Sequence, residues 1–230
     1  IKIPILKRLI PSISIRILKI LKKNRGFFKI DNTKMFLDFL DSTDRQIILH
    51  QEYEVEEILI LNELIKKHSV IYFFDVGANC GYYSITLAKN FKNLKILAFE
   101  PNNDAYFKFN KTLEINPDLS ERITLYNYGL SNKNSKQIMK SLIKFGYAQT
   151  GGSTVNNDYQ TNFKTQEATF KIGDEEVGIQ GSIVALKIDV EGHEINVLNG
   201  IKQLLNNNKC IIQIEIFNKN FEQINQFLID

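Results

Sequence analysis

The sequence predicts an α/β fold of the Rossmann-like type, built on a mainly parallel sheet. From residue 70 onward, short apolar runs alternate with stretches in which apolar residues recur every three or four positions. This alternation is typical of parallel strands joined by right-handed helical crossovers. The strands are predicted at residues 70–76, 95–100, 123–128, 183–190 and 210–217, and the helices at 54–68, 82–91, 104–115 and 194–206. A chain of 230 residues accommodates one such domain with an appendage.

A polar insertion interrupts the alternation between the third and fourth predicted strands. Residues 131–182 are rich in Asn, Thr, Gly, Gln and Lys, with strand-like pieces at 137–143 and 168–172. A stretch of about 50 residues is too long for a plain loop inside a compact domain. We therefore expect the insertion to carry the crossover and to cover a ligand site.

The amino-terminal end of the chain is strongly basic. Residues 1–30 hold nine bases and no acid, whereas the remaining 200 residues have a net charge of −6. A mildly acidic main domain argues against nucleic acid as a partner. Apolar residues spaced by three and four between residues 5 and 23 predict an amphipathic helix. That helix would pack on the domain or on a partner subunit of a homo-oligomer, or would rest on an anionic membrane through residues 1–25.

Three parts of the chain are predicted from these patterns. Residues 1–30 form a basic helical appendage, residues 31–69 pack on the core, and residues 70–230 form the ligand-binding domain. Short strands and turns are expected over residues 26–55. No apolar run approaches the roughly 18–20 residues that span a bilayer. The two cysteines suggest reduced thiols and a cytoplasmic protein, with the inner membrane surface as a peripheral location.

A glycine-containing turn follows the first core strand. Residues 75–81 read DVGANCG, between a buried strand and a helix whose first N–H groups are available to a ligand. Gly77, Asn79 and Gly81 tolerate positive φ there. A dinucleotide-binding turn would instead read Gly-x-Gly-x-x-Gly and cradle a pyrophosphate. The carboxylate of Asp75 would repel a pyrophosphate and suits a ligand with an ammonium group, such as S-adenosylmethionine.

Two further strand ends complete a nucleoside site. Glu100 ends the second core strand, 19 residues after Gly81, and an acid at this place can accept hydrogen bonds from both ribose hydroxyls. Gly129 and Leu130 follow the third strand, where a small residue would let an adenine ring lie close to the backbone. Together with the glycine turn, these residues predict S-adenosylmethionine as the cofactor.

These motifs resemble the FkbM-type methyltransferase family over roughly residues 30–217. The blocks are FDVGANCGYYS at 74–84, FEPN at 99–102 and the more specific LKIDVEGHE at 186–194, and VLNG, QIEI and the upstream QEYE also look like that family. The resemblance implies a class I methyltransferase fold and O-methylation, often of sugar hydroxyls in surface polysaccharides or glycosylated natural products. Such folds usually end in an antiparallel hairpin, so we expect either a trimmed chain or a shortened sheet.

Acid and histidine side chains follow the fourth core strand. Asp189, Glu191 and His193 lie where ligands bind in open α/β sheets, beyond the carboxyl ends of the strands. A hydroxyl is a weak nucleophile and needs a base or a metal to remove its proton. We predict His193 as the general base, oriented by Asp189 or Glu191. The same three residues are alternatively Mg²⁺ or Mn²⁺ ligands, which we do not favour. A further alternative is that Glu191 and Glu194 merely stabilise the start of a helix while His193 packs locally.

Three more polar residues are candidates for acceptor binding. Glu215 follows the fifth strand, and Ser153 and Thr154 lie in a glycine-containing stretch of the insertion that is equally explained as an exposed loop. Two other functions stay open. They are a non-catalytic nucleoside-binding or scaffold protein of the same fold, against which the intact cofactor motif argues, and a nicotinamide-dependent oxidoreductase, which the acid before the glycine turn disfavours.

Overall fold

The computed structural model describes residues 24–144, 146–155, 162–216 and 220–229. The amphipathic helix predicted between residues 5 and 23 lies outside these residues, and so does its contact with a membrane or a subunit. Within the described ranges, no helix is both long enough and apolar enough to cross a bilayer.

The described elements alternate between strands and helices along most of the chain. In chain order they are β1 (Arg25–Ile30), β2 (Thr33–Asp38), α1 (Ser42–His50), α2 (Val55–His68), β3 (Tyr72–Val76), α3 (Tyr82–Asn90), β4 (Lys95–Phe99), α4 (Asn103–Glu114), α5 (Pro117–Ser120), β5 (Ile123–Tyr126), β6 (Gly129–Ser131), β7 (Ser135–Lys144), β8 (Tyr147–Ala148), β9 (Phe163–Ile172), α6 (Gly173–Glu176), β10 (Ile183–Ile188), α7 (Glu194–Gly200), α8 (Lys202–Asn206), β11 (Lys209–Ile214) and α9 (Phe221–Ile229).

A five-stranded parallel sheet of order β11-β10-β3-β4-β5 forms the core, which confirms the predicted α/β class. Successive side chains of one strand enter opposite apolar layers, as the strand period of two requires. Phe73 packs with apolar residues of α2, α3 and α4, whereas Phe74 packs with those of α7, α8 and α9. Both rings are fully buried. Burial on both faces explains why these strands read as continuous apolar runs.

An antiparallel hairpin and helix α1 precede the sheet. The hairpin pairs β1 with β2, in keeping with the short strands expected over residues 26–55. Helix α1 was not predicted. Asp41 caps it by accepting hydrogen bonds from the backbone N–H groups of Thr43 and Asp44, and Ile47 is its one buried apolar residue. A helix with so little apolar surface has no clear periodic signal.

A buried ionic cluster attaches α1 to the core. Lys108 of α4 is fully buried, and its Nζ lies 2.6 Å from Asp44 Oδ2 and 3.8 Å from Asp41 Oδ2. The same Nζ donates a hydrogen bond to Thr150 Oγ1 at 3.0 Å, which brings in the polar insertion. Burial raises the pKa of Asp44 to about 6 although Lys108 opposes that shift. Charge pairing therefore joins three separate parts of the chain, in addition to the packing of Ile47 in the apolar core.

The polar insertion forms a second sheet instead of a loop. Strands β7 and β9 pair in antiparallel fashion and β6 runs parallel to β9, giving the order β6-β9-β7-β8. The two strand-like pieces expected in the insertion correspond to β7 and β9. The predicted helix over 194–206 is divided in two, because Ile201 leaves the helical conformation between α7 and α8.

Removing the buried cation should strongly destabilise the fold. Lys108→Met leaves Asp41 and Asp44 buried without their partner, and breaking a buried ion pair in this way costs about 3–5 kcal/mol. The matched control is Lys111→Met in the same helix, where an exposed pair with Glu114 should contribute less than about 1 kcal/mol. Urea unfolding of both variants measures the difference. Equal small losses in the two variants would contradict a structural role of the cluster.

Candidate functional site

A cavity of about 330 Å³ opens beyond the carboxyl ends of β3, β4 and β10, under the inserted sheet. Asp75, Gly81 and Thr154 were predicted for the site but lie beside the cavity without lining it. The other predicted site residues line its wall, namely Gly77, Asn79, Glu100, Gly129, Leu130, Ser153, Asp189, Glu191, His193 and Glu215.

The glycine turn fits tightly between two strand ends. Gly77 has φ +85°, and a Cβ placed on it would lie 1.9 Å from the carbonyl oxygen of Asp189. No other residue fits this approach of β3 to β10 without a shift of the backbone. Gly81 has φ +83° and caps α3, where an added Cβ would meet the ring of Phe109 at 2.3 Å. Gly81 therefore serves helix packing and does not line the cavity.

Asp75 lies behind the turn. Its side chain is 1% exposed, and its Oδ2 accepts hydrogen bonds from the backbone N and the Oγ of Ser84, at 3.2 and 2.6 Å. Burial raises the pKa of Asp75, while the nearby Lys187 opposes the shift. The carboxylate thus secures the first turn of α3 and does not line the cavity, and its contact with an ammonium group stays a prediction.

Glu100 closes the other side of the turn. Its Oε2 accepts from the backbone N–H of Asn79 and its Oε1 from that of Asn102, both at 2.7 Å. Burial raises the pKa of Glu100 to about 7, and these two hydrogen bonds limit the rise. Asn79 itself has φ +49°, the left-handed conformation expected of it. The carboxyl group is consequently fixed at the end of β4, facing the cavity.

Three acids gather at the ends of β10 and β11. The pairing of Ile188 with Ile214 places Asp189 next to Glu215, and oxygens of Asp189, Glu191 and Glu215 lie within 4.8 Å of one another. Such oxygen ligands suit a hard divalent cation. The predicted metal set contained His193 in place of Glu215. The structure instead brings Asp189 and Glu191 together with Glu215.

Proton sharing dominates the electrostatics of this cluster. A hydrogen bond with Asp189, together with burial, raises the pKa of Glu215 to about 8. Burial opposes ionisation of Asp189, yet Lys187 at 2.7 Å and the bond with Glu215 lower its pKa overall. Burial and the charge of Asp189 raise the pKa of Glu191. At neutral pH, Asp189 is therefore ionised and Glu215 holds a proton.

His193 faces the inserted sheet. Glu191 and Gly192 both have positive φ, so the chain turns sharply before α7. The imidazole lies 5.3 Å from the ring of Phe170, and its Nε2 is 3.0 Å from Ser131 Oγ. Burial, with a smaller effect of a neighbouring lysine, lowers the pKa of His193 to about 4. The lowered pKa makes the imidazole a weak base, although it is unprotonated at physiological pH and so can accept a proton.

Residues 149–155, which follow β8, form a roof over the cavity. Ser153 Oγ bonds to Asn102 Nδ2 at 3.0 Å and to Ser141 Oγ at 2.8 Å, and Thr154 Oγ1 donates to the backbone oxygen of Glu191 at 2.8 Å. Both hydroxyls, predicted to bind an acceptor, are thus engaged in fixing the roof. Gly151 and Gly152 present backbone to the cavity.

Several lining residues were missed by the reasoning from motifs. Ser42 and Thr43 of α1 reach the cavity, as do Tyr53 and Glu54. Tyr53 and Glu54 belong to the QEYE block, whose family resemblance is its one signal in the sequence. These two residues reach the site through tertiary contacts that no local spacing reveals.

Comparison with known proteins identifies the family. The methyltransferase FkbM from Methylobacillus flagellatus KT is 16% identical, with a TM-score of 0.50, over 70% of this chain and 37% of that one. The precorrin-6y C5,15-methyltransferase from Geobacter metallireducens GS-15 is 13% identical, with a TM-score of 0.47, over 85% of this chain and 78% of that one. No curated protein matches.

The first likeness confirms the class I methyltransferase fold, although the chain spans only 37% of the length of that protein. The family model described as the methyltransferase FkbM domain matches residues 75–230. This match covers more than half of the sequence, from the glycine turn to the last residue. The chain therefore belongs to the FkbM methyltransferase domain family.

Proposed function

We propose that this protein transfers a methyl group from S-adenosylmethionine to a sugar hydroxyl of a surface polysaccharide or glycoconjugate. One observation carries the proposal. The cavity has five acidic residues in its wall, Glu54, Glu100, Asp189, Glu191 and Glu215, and none of the described lining residues is Lys or Arg. A cavity of this charge favours a cationic ligand. The cofactor has a sulfonium and an ammonium group, and when bound it supplies an already activated methyl group.

The order of the strands suggests how the cofactor would be held. Glu100 would accept the ribose hydroxyls at the end of β4, and Gly129 and Leu130 would lie beside the adenine. The glycine turn at Gly77 would receive the aminoacyl end, next to Asp189. Much of the rate enhancement then comes from holding the acceptor oxygen in line with the methyl carbon.

The pair Asp189–Glu215 is the base that we favour for the acceptor hydroxyl. Its two carboxyl groups share a hydrogen bond and line the cavity. A carboxyl with a pKa near 8 is well matched to proton removal at neutral or slightly alkaline pH. His193 remains a second candidate, as the sequence predicted, but its lowered pKa makes it less effective.

The charge of the wall also bears on the acceptor and on the other two functions. A phosphorylated or carboxylated acceptor would be repelled by the acids, whereas a neutral sugar would not. The pyrophosphate of a nicotinamide cofactor would meet the same repulsion. A scaffold protein would have no use for a hydrogen-bonded carboxyl pair in which the pKa of Glu215 is raised to about 8, because such perturbed groups are concentrated at functional sites.

A cytoplasmic location belongs to this proposal, since both cysteines are free thiols. Peripheral membrane contact through residues 1–25 stays a separate prediction that rests on their charge and apolar spacing.

A labelled-methyl transfer assay against polysaccharide precursors tests the proposed reaction. We expect transfer by the wild type and a loss of about 10²–10⁴-fold in kcat for Asp189→Asn, because general base catalysis contributes that much. Binding of S-adenosylhomocysteine by the variant serves as the control for folding. Equal rates in the two proteins would contradict the role of Asp189.

Exhaustive EDTA treatment should leave the wild-type rate unchanged, since Lys187 already occupies one side of Asp189. Loss of activity with EDTA would favour a metal.

The pH dependence separates the two candidate bases. With Glu215 as part of the base, kcat/KM should rise as the pH increases through about 8, because the carboxyl must lose its proton to act. Glu215→Gln should abolish this rise. With His193 as the base, the rise would occur near pH 4 and the profile would be flat between 6 and 9. A flat profile that Glu215→Gln leaves unchanged would exclude the carboxyl pair.

A further inference from the structure

Glu54 has an unusual backbone conformation at the edge of the cavity. It occupies the N-cap of α2 with φ 46° and ψ 55°, a left-handed conformation that residues with a side chain adopt only at an energetic cost. Its side chain makes no capping hydrogen bond to the helix that it begins. An acid at an N-cap usually accepts hydrogen bonds from the first N–H groups of the helix, and Glu54 does not. Glu54 instead lines the cavity.

Two phenol groups hold the Glu54 carboxylate. The hydroxyl of Tyr83 donates to Glu54 Oε2 at 2.7 Å, and the hydroxyl of Tyr53 is also hydrogen-bonded to Glu54. Burial and the bond with Glu54 raise the pKa of both tyrosines, so both stay protonated and act as donors. Gln213 Nε2 in turn donates to the hydroxyl of Tyr83 at 3.3 Å. Neutral donors thus fix the carboxylate without offsetting its charge.

Among the residues that the structure describes, no lysine, arginine or histidine forms an ion pair with Glu54. The charge of Glu54 contributes to the raised pKa of Lys187, but the Nζ of Lys187 pairs with Asp189 at 2.7 Å. Glu100 is held differently from Glu54, because two backbone N–H groups donate hydrogen bonds to its carboxyl oxygens. Glu54 is therefore a fixed carboxylate that still lacks a positive partner.

The position of Glu54 matches one end of the proposed cofactor. Glu100 ends β4 and Asp189 follows β10, with β3 between them, so these acids are separated by two strand spacings, or about 10 Å. Tyr83, whose hydroxyl bonds to Glu54, has its ring 4.6 Å from the Nζ of Lys187 in β10. Glu54 thus lies on the β3–β10 side, opposite the place proposed for the ribose.

We propose that Glu54 binds the ammonium group at the aminoacyl end of S-adenosylmethionine. The inference rests on the proposed function, because it assumes that this cofactor occupies the cavity. A carboxylate held in advance by neutral donors loses little freedom on binding and forms a charge-assisted hydrogen bond with an ammonium group.

Titration calorimetry with three nucleosides tests this role. S-adenosylhomocysteine carries the ammonium group, its desamino analogue lacks only that group, and 5′-methylthioadenosine lacks the whole aminoacyl end. For Glu54→Gln, we expect the affinity for S-adenosylhomocysteine to fall about tenfold or more, as for other hydrogen bonds to charged groups. The affinities for the other two nucleosides should change less than about twofold. The control is Glu56→Gln, the same substitution at an exposed position of α2, which should leave all three affinities unchanged.

The same titrations distinguish the possible failures. A similar loss for all three nucleosides would show that Glu54 only shapes the site, and no loss for S-adenosylhomocysteine would show that it does not touch the ammonium group. Tighter binding of the desamino analogue by Glu54→Gln would mean that Glu54 faces the ligand carboxylate. Each of these results overturns the inference while the proposed function stands. A wild type that binds none of the nucleosides would overturn both.

Discussion

The close approach of β3 to β10 determines the rest of the site. The backbone N–H of Asp189 donates to the carbonyl of Val76, and the next residue, Gly77, has no room for a side chain against Asp189. This contact places the glycine turn, the acids after β10 and the carboxyl of Glu100 around one cavity. A side chain at position 77 would separate the two strand ends, and the glycine turn would then no longer lie beside the acids that follow β10.

Charge is distributed unequally around this contact. The cavity wall is acidic, whereas the two lysines that are buried among the described residues lie behind it, where Lys187 pairs with Asp189 and Lys108 with Asp44. Burying these cations costs solvation energy, which their carboxylate partners offset. The arrangement leaves acids available to a cationic ligand and keeps the supporting structure close to neutral. Thr150 links the insertion to the glycine turn, because its hydroxyl bonds both to Asn79, at 2.8 Å, and to Lys108.

The sequence predicted the core sheet well, because strands buried on both faces must be continuously apolar and because Gly77 and Asn79 mark the turn. It did not reveal α1, whose attachment depends on Lys108, a residue 64 positions away from Asp44. Nor did it place His193, whose direction depends on positive φ at Glu191 and on Ser131 in another sheet. Such long-range polar contacts have no period along the chain. The neighbourhood of Asp189 and Glu215 follows only once β10 and β11 are known to be adjacent.

The proposed function requires that an aminoacyl nucleoside lies across the carboxyl ends of β3, β4 and β10. A crystal structure determined with saturating S-adenosylhomocysteine tests this requirement most directly. We expect the ribose hydroxyls within hydrogen-bonding distance of Glu100 and the aminoacyl end over the turn at Gly77. A cavity filled by the protein's own side chains, or a ligand bound elsewhere, would contradict the account.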